Sequence, residues 1–227
     1  YSLRTIRRIT DNFNNNKILS VGGLWTIYKG VFFNGKTVAV KRVRPEYYNG
    51  EGKLFEEERK FLKAMSHPNI VKYLGACSTP KLKVLVYEHM SNGSLDMHLH
   101  KERAGISSLS WSSRMDIAAG VAQGLAYLHG EWKEPQMHCD LNGSSVLLDD
   151  KFNARIADIR SKNASKHFTS LETNIGRSTG YHPPAEYSIT NEPTPEGEVF
   201  SFGTLLMELL TGTEAAGPVK NGVKGGL

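Results

Sequence analysis

Cysteine is scarce. The 227 residues hold two, Cys77 and Cys139, with no second thiol or histidine near either at metal-ligand spacing. That excludes a disulfide framework and a cysteine-rich metal site, and it favours a reducing compartment. Long apolar runs are also missing. No stretch approaches the ~20 residues that cross a bilayer, and no signal peptide stands at the start. The formal net charge is +5 and the pI about 9.1, yet the basic residues are dispersed, without a Lys/Arg run or a nucleic-acid motif. A basic surface around a phosphate-handling site accounts for that balance, and no nucleic-acid partner is expected. There is no internal repeat and no low-complexity tract. With 39% apolar residues, the chain suits one large domain or two small lobes.

The pattern along the chain changes character once. Residues 1 to about 15 read as a lead-in helix. From Leu19 to Arg44 the alternation is that of strands, and Asn34-Gly35 is a hairpin turn. Phe55 to Met65 reads as a helix with Phe55, Phe61, Leu62 and Met65 near one face, and Pro68 stops its continuation. Val84 to Tyr87 is a short apolar strand. After Ser91 the spacing becomes helical: Met115, Ala118, Ala122, Leu125 and Leu128 form one stripe, and Val199 to Leu210 reads as a central buried helix. Between them, Val146-Leu147-Leu148 and Ala154 to Ala157 flank a turn at Asp149-Asp150. The expected organisation is a lead-in segment (1–18), a strand-rich lobe (19–90) and a helical lobe (91–227).

One segment carries the most chemistry. His138-Cys139-Asp140-Leu141-Asn142-Gly143-Ser144-Ser145-Val146-Leu147-Leu148-Asp149 resembles the protein-kinase catalytic loop H-R-D-L-K-x-x-N-x-L-L-D. Other motifs fall in the same order: Val38-Ala39-Val40-Lys41, Glu58, His67-Pro68-Asn69-Ile70-Val71, Leu85-Val86-Tyr87-Glu88, Asn92-Gly93-Ser94-Leu95, Gly124 to His129, Asp158-Ile159-Arg160 where D-F-G belongs, and Glu198-Val199-Phe200-Ser201-Phe202-Gly203. Their wording resembles plant receptor-like kinases of the Pelle/IRAK type, from about Tyr1 to Gly212. The resemblance implies an α+β, two-lobed kinase fold: a small lobe of mostly antiparallel sheet plus a helix, and a mostly helical large lobe. The family's large lobe continues past Leu210, so the chain reads as a fragment or a truncated member.

The resemblance also assigns roles. ATP would be gripped by the glycine-loop positions Ser20, Gly22 and Trp25, by Ile27, Ala39 and Leu147, and by the hinge residues Tyr87 (gatekeeper), Glu88 and Met90. Lys41, paired with Glu58, would hold phosphate. Asp140 and Asn142 take the catalytic positions, and Asp158 and Ser145 the Mg2+ positions. Several positions depart from the family. Asn142 replaces the loop Lys, Ser145 the metal-binding Asn, Arg160 the Gly of D-F-G, and Cys139 the Arg beside the catalytic Asp, as in the non-RD subgroup. Glu198 replaces a bracing Asp. Trp25 stands where a Gly lets amides approach phosphate, and its indole could fill the cleft or prop the loop open. A pairing of Arg160 with Asp158 would compete with magnesium.

These losses imply a pseudokinase that scaffolds or regulates an active kinase, or acts as bait for a pathogen effector. An immune receptor is a further candidate partner. The alternative is a weakly active Ser/Thr kinase using Lys41, Asp140 and Asp158. Either would sit in the cytoplasm or on the cytoplasmic side of a receptor. Ser165, Thr169 and Ser170 would be activation-loop phosphorylation sites without their usual Arg anchor, and Thr179 would line the substrate loop.

Overall fold

A computed structural model of the chain describes residues 1–22, 25–44, 52–99, 109–161, 181, 193–215 and two two-residue strands near the C-terminus. The readings at Ser165, Thr169, Ser170 and Thr179 lie outside the described residues.

Five strands form one antiparallel sheet: β1 (Ile18–Val21), β2 (Trp25–Val31), β3 (Thr37–Val43), β4 (Tyr73–Thr79) and β5 (Leu82–Glu88), in the order β1-β2-β3-β5-β4. The hairpin at Asn34-Gly35 forms as its sequence predicts, with Gly35 at φ +79°. Strand alternation then sorts the side chains onto two faces. Val38 and Val40 go to one face, where they bury with Tyr28, Cys77, Val84 and Val86 against Ile6 and Ile9 of helix α1 (Leu3–Ile9). Ala39, Lys41 and Val43 go to the other, over which helix α2 (Gly52–Ala64) lies, burying Phe55 and Leu62 with Val43, Ala76 and Leu85.

The lead-in helix is shorter than its pattern suggests. It stops at Ile9, and Asp11, Asn12 and Phe13 all take positive φ. The Thr10 hydroxyl donates to the Ile6 carbonyl at 2.8 Å and accepts the Phe13 amide at 3.1 Å, which turns the chain out of the helix.

The helical lobe is built on α4 (Trp111–Gly130), with α3 (Asp96–Leu99) preceding it and α5 (Pro195–Thr211) packed against it. Ser110 caps α4 through the Ser113 amide (3.1 Å). Thr194 caps α5 through Gly197 (3.1 Å), with Pro195 opening the first turn. The buried stripe of α4 is Ala118, Val121, Leu125 and Leu128, joined by Ile117, Gly120, Gly124 and Tyr127. Ala122, expected in it, is exposed. The glycines explain the rotation. A Cβ on Gly124 would meet Ile156 Cδ1 at 2.8 Å and the Asn69 carbonyl oxygen at 3.0 Å, so the bare side of α4 faces the hairpin of β6 (Val146–Leu148) and β7 (Ala154–Ile156). Helix α5 is not buried all round as its apolar sequence suggests. Ser201, Thr204, Leu205, Glu208 and Leu209 face inward, while Val199, Phe200, Met207 and Leu210 remain exposed. The last elements are the paired strands β8 (Val219–Lys220) and β9 (Val223–Lys224). Among the described residues, no helix is long and apolar enough to cross a membrane.

Candidate active site

A cleft of about 680 Å³ lies between the sheet and the β6–β7 hairpin. Its lining includes Ser20, Gly22, Trp25, Ile27, Ala39, Lys41, Tyr87, Glu88, Met90, Leu147 and Asp158, so eleven positions predicted from sequence converge on one space. Register explains the convergence on the sheet side. Ile27 is paired with Lys41, Lys41 with Leu85, and Ala39 with Tyr87. Directly opposed residues share a face, so Ile27, Ala39, Lys41 and Tyr87 present one face of the sheet to the cleft, while Leu85 on that face buries under α2. Trp25, two residues before Ile27, must look the same way.

Glu58, Asn142 and Ser145 do not line this space, and neither does Asp140, which is exposed beside it. Asp140 is nevertheless well anchored. His138, buried beneath it, donates from Nε2 to the Ala157 carbonyl at 2.7 Å. Its Nδ1 therefore accepts, and it takes the Asp140 amide at 3.2 Å. Next to it, Cys139 adopts φ +74° and gives its amide to Glu198 Oε1 at 2.6 Å. The other oxygen of Glu198 meets His129 Nε2 at 2.8 Å. Glu198 thus reaches the loop from α5 despite its extra methylene. The motif wording singled out Glu198 but not its partner His129, nor the part played by His138. Both sit in quoted motifs, and their hydrogen bonds run between elements far apart in sequence.

The loop's substituted polar groups are turned onto the loop itself. Ser145 is buried, and its hydroxyl donates to the Asn142 carbonyl (2.9 Å) and accepts the Asn142 amide (3.0 Å). The Asn142 carboxamide donates to the Asp140 carbonyl (2.9 Å) and accepts from the Ser144 amide (2.8 Å) and hydroxyl (2.6 Å).

Lys41 does not pair with Glu58 in the expected way. Its ammonium lies 2.5 Å from Asp158 Oδ1, and its side chain is only 9% exposed. The Glu58 carboxylate instead accepts the Ser161 amide at 2.9 Å. The backbone just past Arg160 thus supplies the partner of Glu58, which a motif reading cannot foresee. Burial raises the Glu58 carboxyl above its ordinary range; the Ser161 hydrogen bonds and the Lys41 charge offset this only in part. Asp158 is the opposite case. Burial pushes it up, but the Lys41 charge and hydrogen bond, with the Arg160 charge, bring it below its ordinary range. Asp158 also takes φ +60°.

Trp25 completes the arrangement. Lys41 Nζ lies 4.1 Å from the centroid of its ring and Arg160 Cζ 4.8 Å. The indole rests on Gly22, where any Cβ would come within 2.8 Å of it. Arg160 therefore stacks on Trp25, while the direct contact with Asp158 belongs to Lys41. At the hinge end, Glu88 turns its carboxylate to Arg155 (2.7 Å) and the Lys72 amide (2.6 Å), and Tyr87 packs edge-on to Tyr73.

Sequence comparison places these features in a family. The profile of protein tyrosine and serine/threonine kinases matches residues 13–222. The chain belongs to the protein kinase family. It is 40% identical over 217 residues to the leucine-rich repeat receptor protein kinase EMS1 of Arabidopsis thaliana, covering 95% of this chain and 18% of that protein. It is 36% identical over 224 residues to wall-associated receptor kinase-like 17 of Arabidopsis thaliana (97% and 28%). It is 37% identical over 219 residues to the leucine-rich repeat receptor protein kinase MSP1 of Oryza sativa subsp. japonica (93% and 16%). The chain thus spans less than a third of the length of these relatives.

The kinase family generally uses ATP and Mg2+. The hinge end of the cleft, lined by Ala39, Tyr87, Met90 and Leu147, fits a flat apolar ring system. The opposite end does not fit a metal-bound phosphate chain in this arrangement. Lys41 holds Asp158, Trp25 covers Lys41, and the Ser145 hydroxyl is tied to Asn142. Among the described residues, no group of three His, Cys, Asp or Glu side chains could hold a metal ion.

Proposed function

We propose that this kinase domain is impaired in phosphotransfer and acts by binding other proteins: as a signalling scaffold, as an allosteric regulator of an active kinase, or as a decoy within a plant receptor-like pathway at the cytoplasmic face of a membrane. The observation that carries this reading is the closed circuit of Lys41, Asp158 and Trp25. The two charges that should meet phosphate and magnesium meet each other, under an indole. Loss of the loop Lys and the metal-binding Asn, at Asn142 and Ser145, adds to it. A charge-assisted contact contributes about 1.5–3 kcal/mol. Two such losses lower a rate by roughly a hundredfold or more if they add, and by roughly tenfold or more if one masks the other. Cys139, in place of the Arg that anchors a phosphorylated activation loop, supports a non-RD assignment, a subgroup often linked to immune receptors.

A second reading has its own support. Asp140 is exposed beside the cleft, with its amide pinned by His138 and its neighbour's by Glu198. That is the position of a catalytic base held ready, and it suits a weakly active Ser/Thr kinase. Phosphate transfer from labelled ATP, measured for the parent chain beside Asp140→Asn, separates the two. We expect no difference between them. Transfer by the parent that vanishes in the variant establishes the kinase and removes the impaired reading.

A further inference from the structure

We infer that the cleft is a site for a purine nucleoside or similar flat heterocycle without phosphates, and that Trp25 is the residue that excludes the phosphates. The inference deepens the preceding reading and rests on it. Its basis is the difference between the two ends of one cavity. The hinge end is lined by the apolar side chains of Ala39, Met90 and Leu147, with Tyr87 beside them. A purine ring needs only apolar faces and the backbone of the hinge.

At the other end, the described cations that would welcome a polyphosphate already have partners. Lys41 is in contact with Asp158 at 2.5 Å and lies against the indole face at 4.1 Å. Arg160 approaches the same ring at 4.8 Å. The two cations hold the indole by its negative face, and Gly22 provides the flat seat beneath it. Strand parity makes the placement obligatory, since Trp25 shares its face with Ile27 and Lys41. A phosphate that takes Lys41 must displace the indole from its ammonium and compete with Asp158 for it. Both steps cost affinity, and that cost opposes the attraction phosphate would gain. A nucleoside disturbs neither contact.

The test is titration calorimetry on the full chain with adenosine, ADP and ATP, each with and without MgCl2, repeated for Trp25→Gly and for Trp25→Leu in case the glycine variant is poorly folded. We expect the parent to bind adenosine and ATP within roughly threefold of each other, with no response to magnesium. Removing the indole should improve ATP about tenfold or more, equivalent to ~1.4 kcal/mol, and leave adenosine within about threefold. Three results overturn the inference: ATP at least about tenfold tighter than adenosine in the parent, no gain for ATP in either variant, or no binding of adenosine to any of the three proteins. None of these bears on phosphotransfer, which the Asp140→Asn comparison decides separately. A parent that binds ATP at least about tenfold more tightly than adenosine yet transfers no phosphate refutes this inference alone, whereas one that transfers phosphate refutes the preceding reading and the exclusion of phosphates with it.

Discussion

Glu198 offers the sharpest quantitative prediction. Its carboxylate is buried and divided between two partners in different elements: the Cys139 amide at 2.6 Å and His129 Nε2 at 2.8 Å. Glu198→Ala removes both acceptor oxygens at once. The Cys139 amide loses this acceptor at a residue already held at φ +74°, and a buried hydrogen bond to a charged group contributes about 1.5–3 kcal/mol. Two of them give roughly 3–5 kcal/mol, the range seen when one member of a buried ionic contact is removed. At this chain length 1 kcal/mol moves Tm by ~2–4 °C, so the alanine variant should melt about 6–20 °C lower. Glu198→Gln keeps a carbonyl oxygen for Cys139, and its amide can meet the imidazole in either tautomer. It should lose no more than about a third of that amount, one neutral hydrogen bond being ~1 kcal/mol. Thermal unfolding followed by far-UV circular dichroism measures both. A fall of less than about 2 °C for the alanine variant, well under one hydrogen bond's effect, or equal losses for alanine and glutamine, would refute the argument that Glu198 holds the loop through two specific acceptors.

Three further outcomes follow from the geometry. Gly124→Ala gains helix propensity worth about 1 kcal/mol, but its methyl must displace Ile156 and the Asn69 carbonyl; urea titration should show a net loss of roughly 1–3 kcal/mol, and a net gain would contradict the packing. Glu58 has a raised carboxyl pKa, so the folded state favours its protonated form. Its contribution is full below the ordinary carboxylate pKa and is lost as pH rises through the higher folded value; the Tm of Glu58→Gln relative to the parent should therefore climb as pH rises above about pH 4, and a flat difference would count against burial as the cause. Asp158 has the opposite sign. Its contribution is full at neutral pH and is lost as acid carries the carboxyl through its lowered pKa, so the parent's advantage over Asp158→Asn should shrink progressively below about pH 4, and an advantage that does not change with acid would exclude the Lys41 contact as its source.

Much of this protein was legible before any coordinate. Hairpin chemistry at Asn34-Gly35 and period-two alternation around Lys41 require nothing beyond the local chain, and that alternation puts Ala39 and Lys41 on one face; Ile27 joins them only through the β2–β3 register. The motif order pointed to the kinase fold and to eleven of the cleft's lining positions, while Glu58, Asp140, Asn142 and Ser145 fall outside the lining. Strand β4 was not anticipated, because Tyr73 to Thr79 alternates weakly and depends on β5 for its pairing. The α4 stripe was misjudged at Ala122 because hydrophobicity alone ranks alanine above glycine. Close approach to Ile156 and Asn69 reverses that ranking.

The amino-acid sequence alone determined which side chains are available to the cleft, since strand parity and motif spacing are properties of a single segment. Partnership was decided only by the fold. Lys41 meets Asp158 across 117 positions of sequence, Glu58 accepts Ser161 across 103, and Glu198 reaches Cys139 across 59. Each choice is a competition between charges and donors that only the packed chain brings within 3 Å, where distance, burial and rival partners set the outcome.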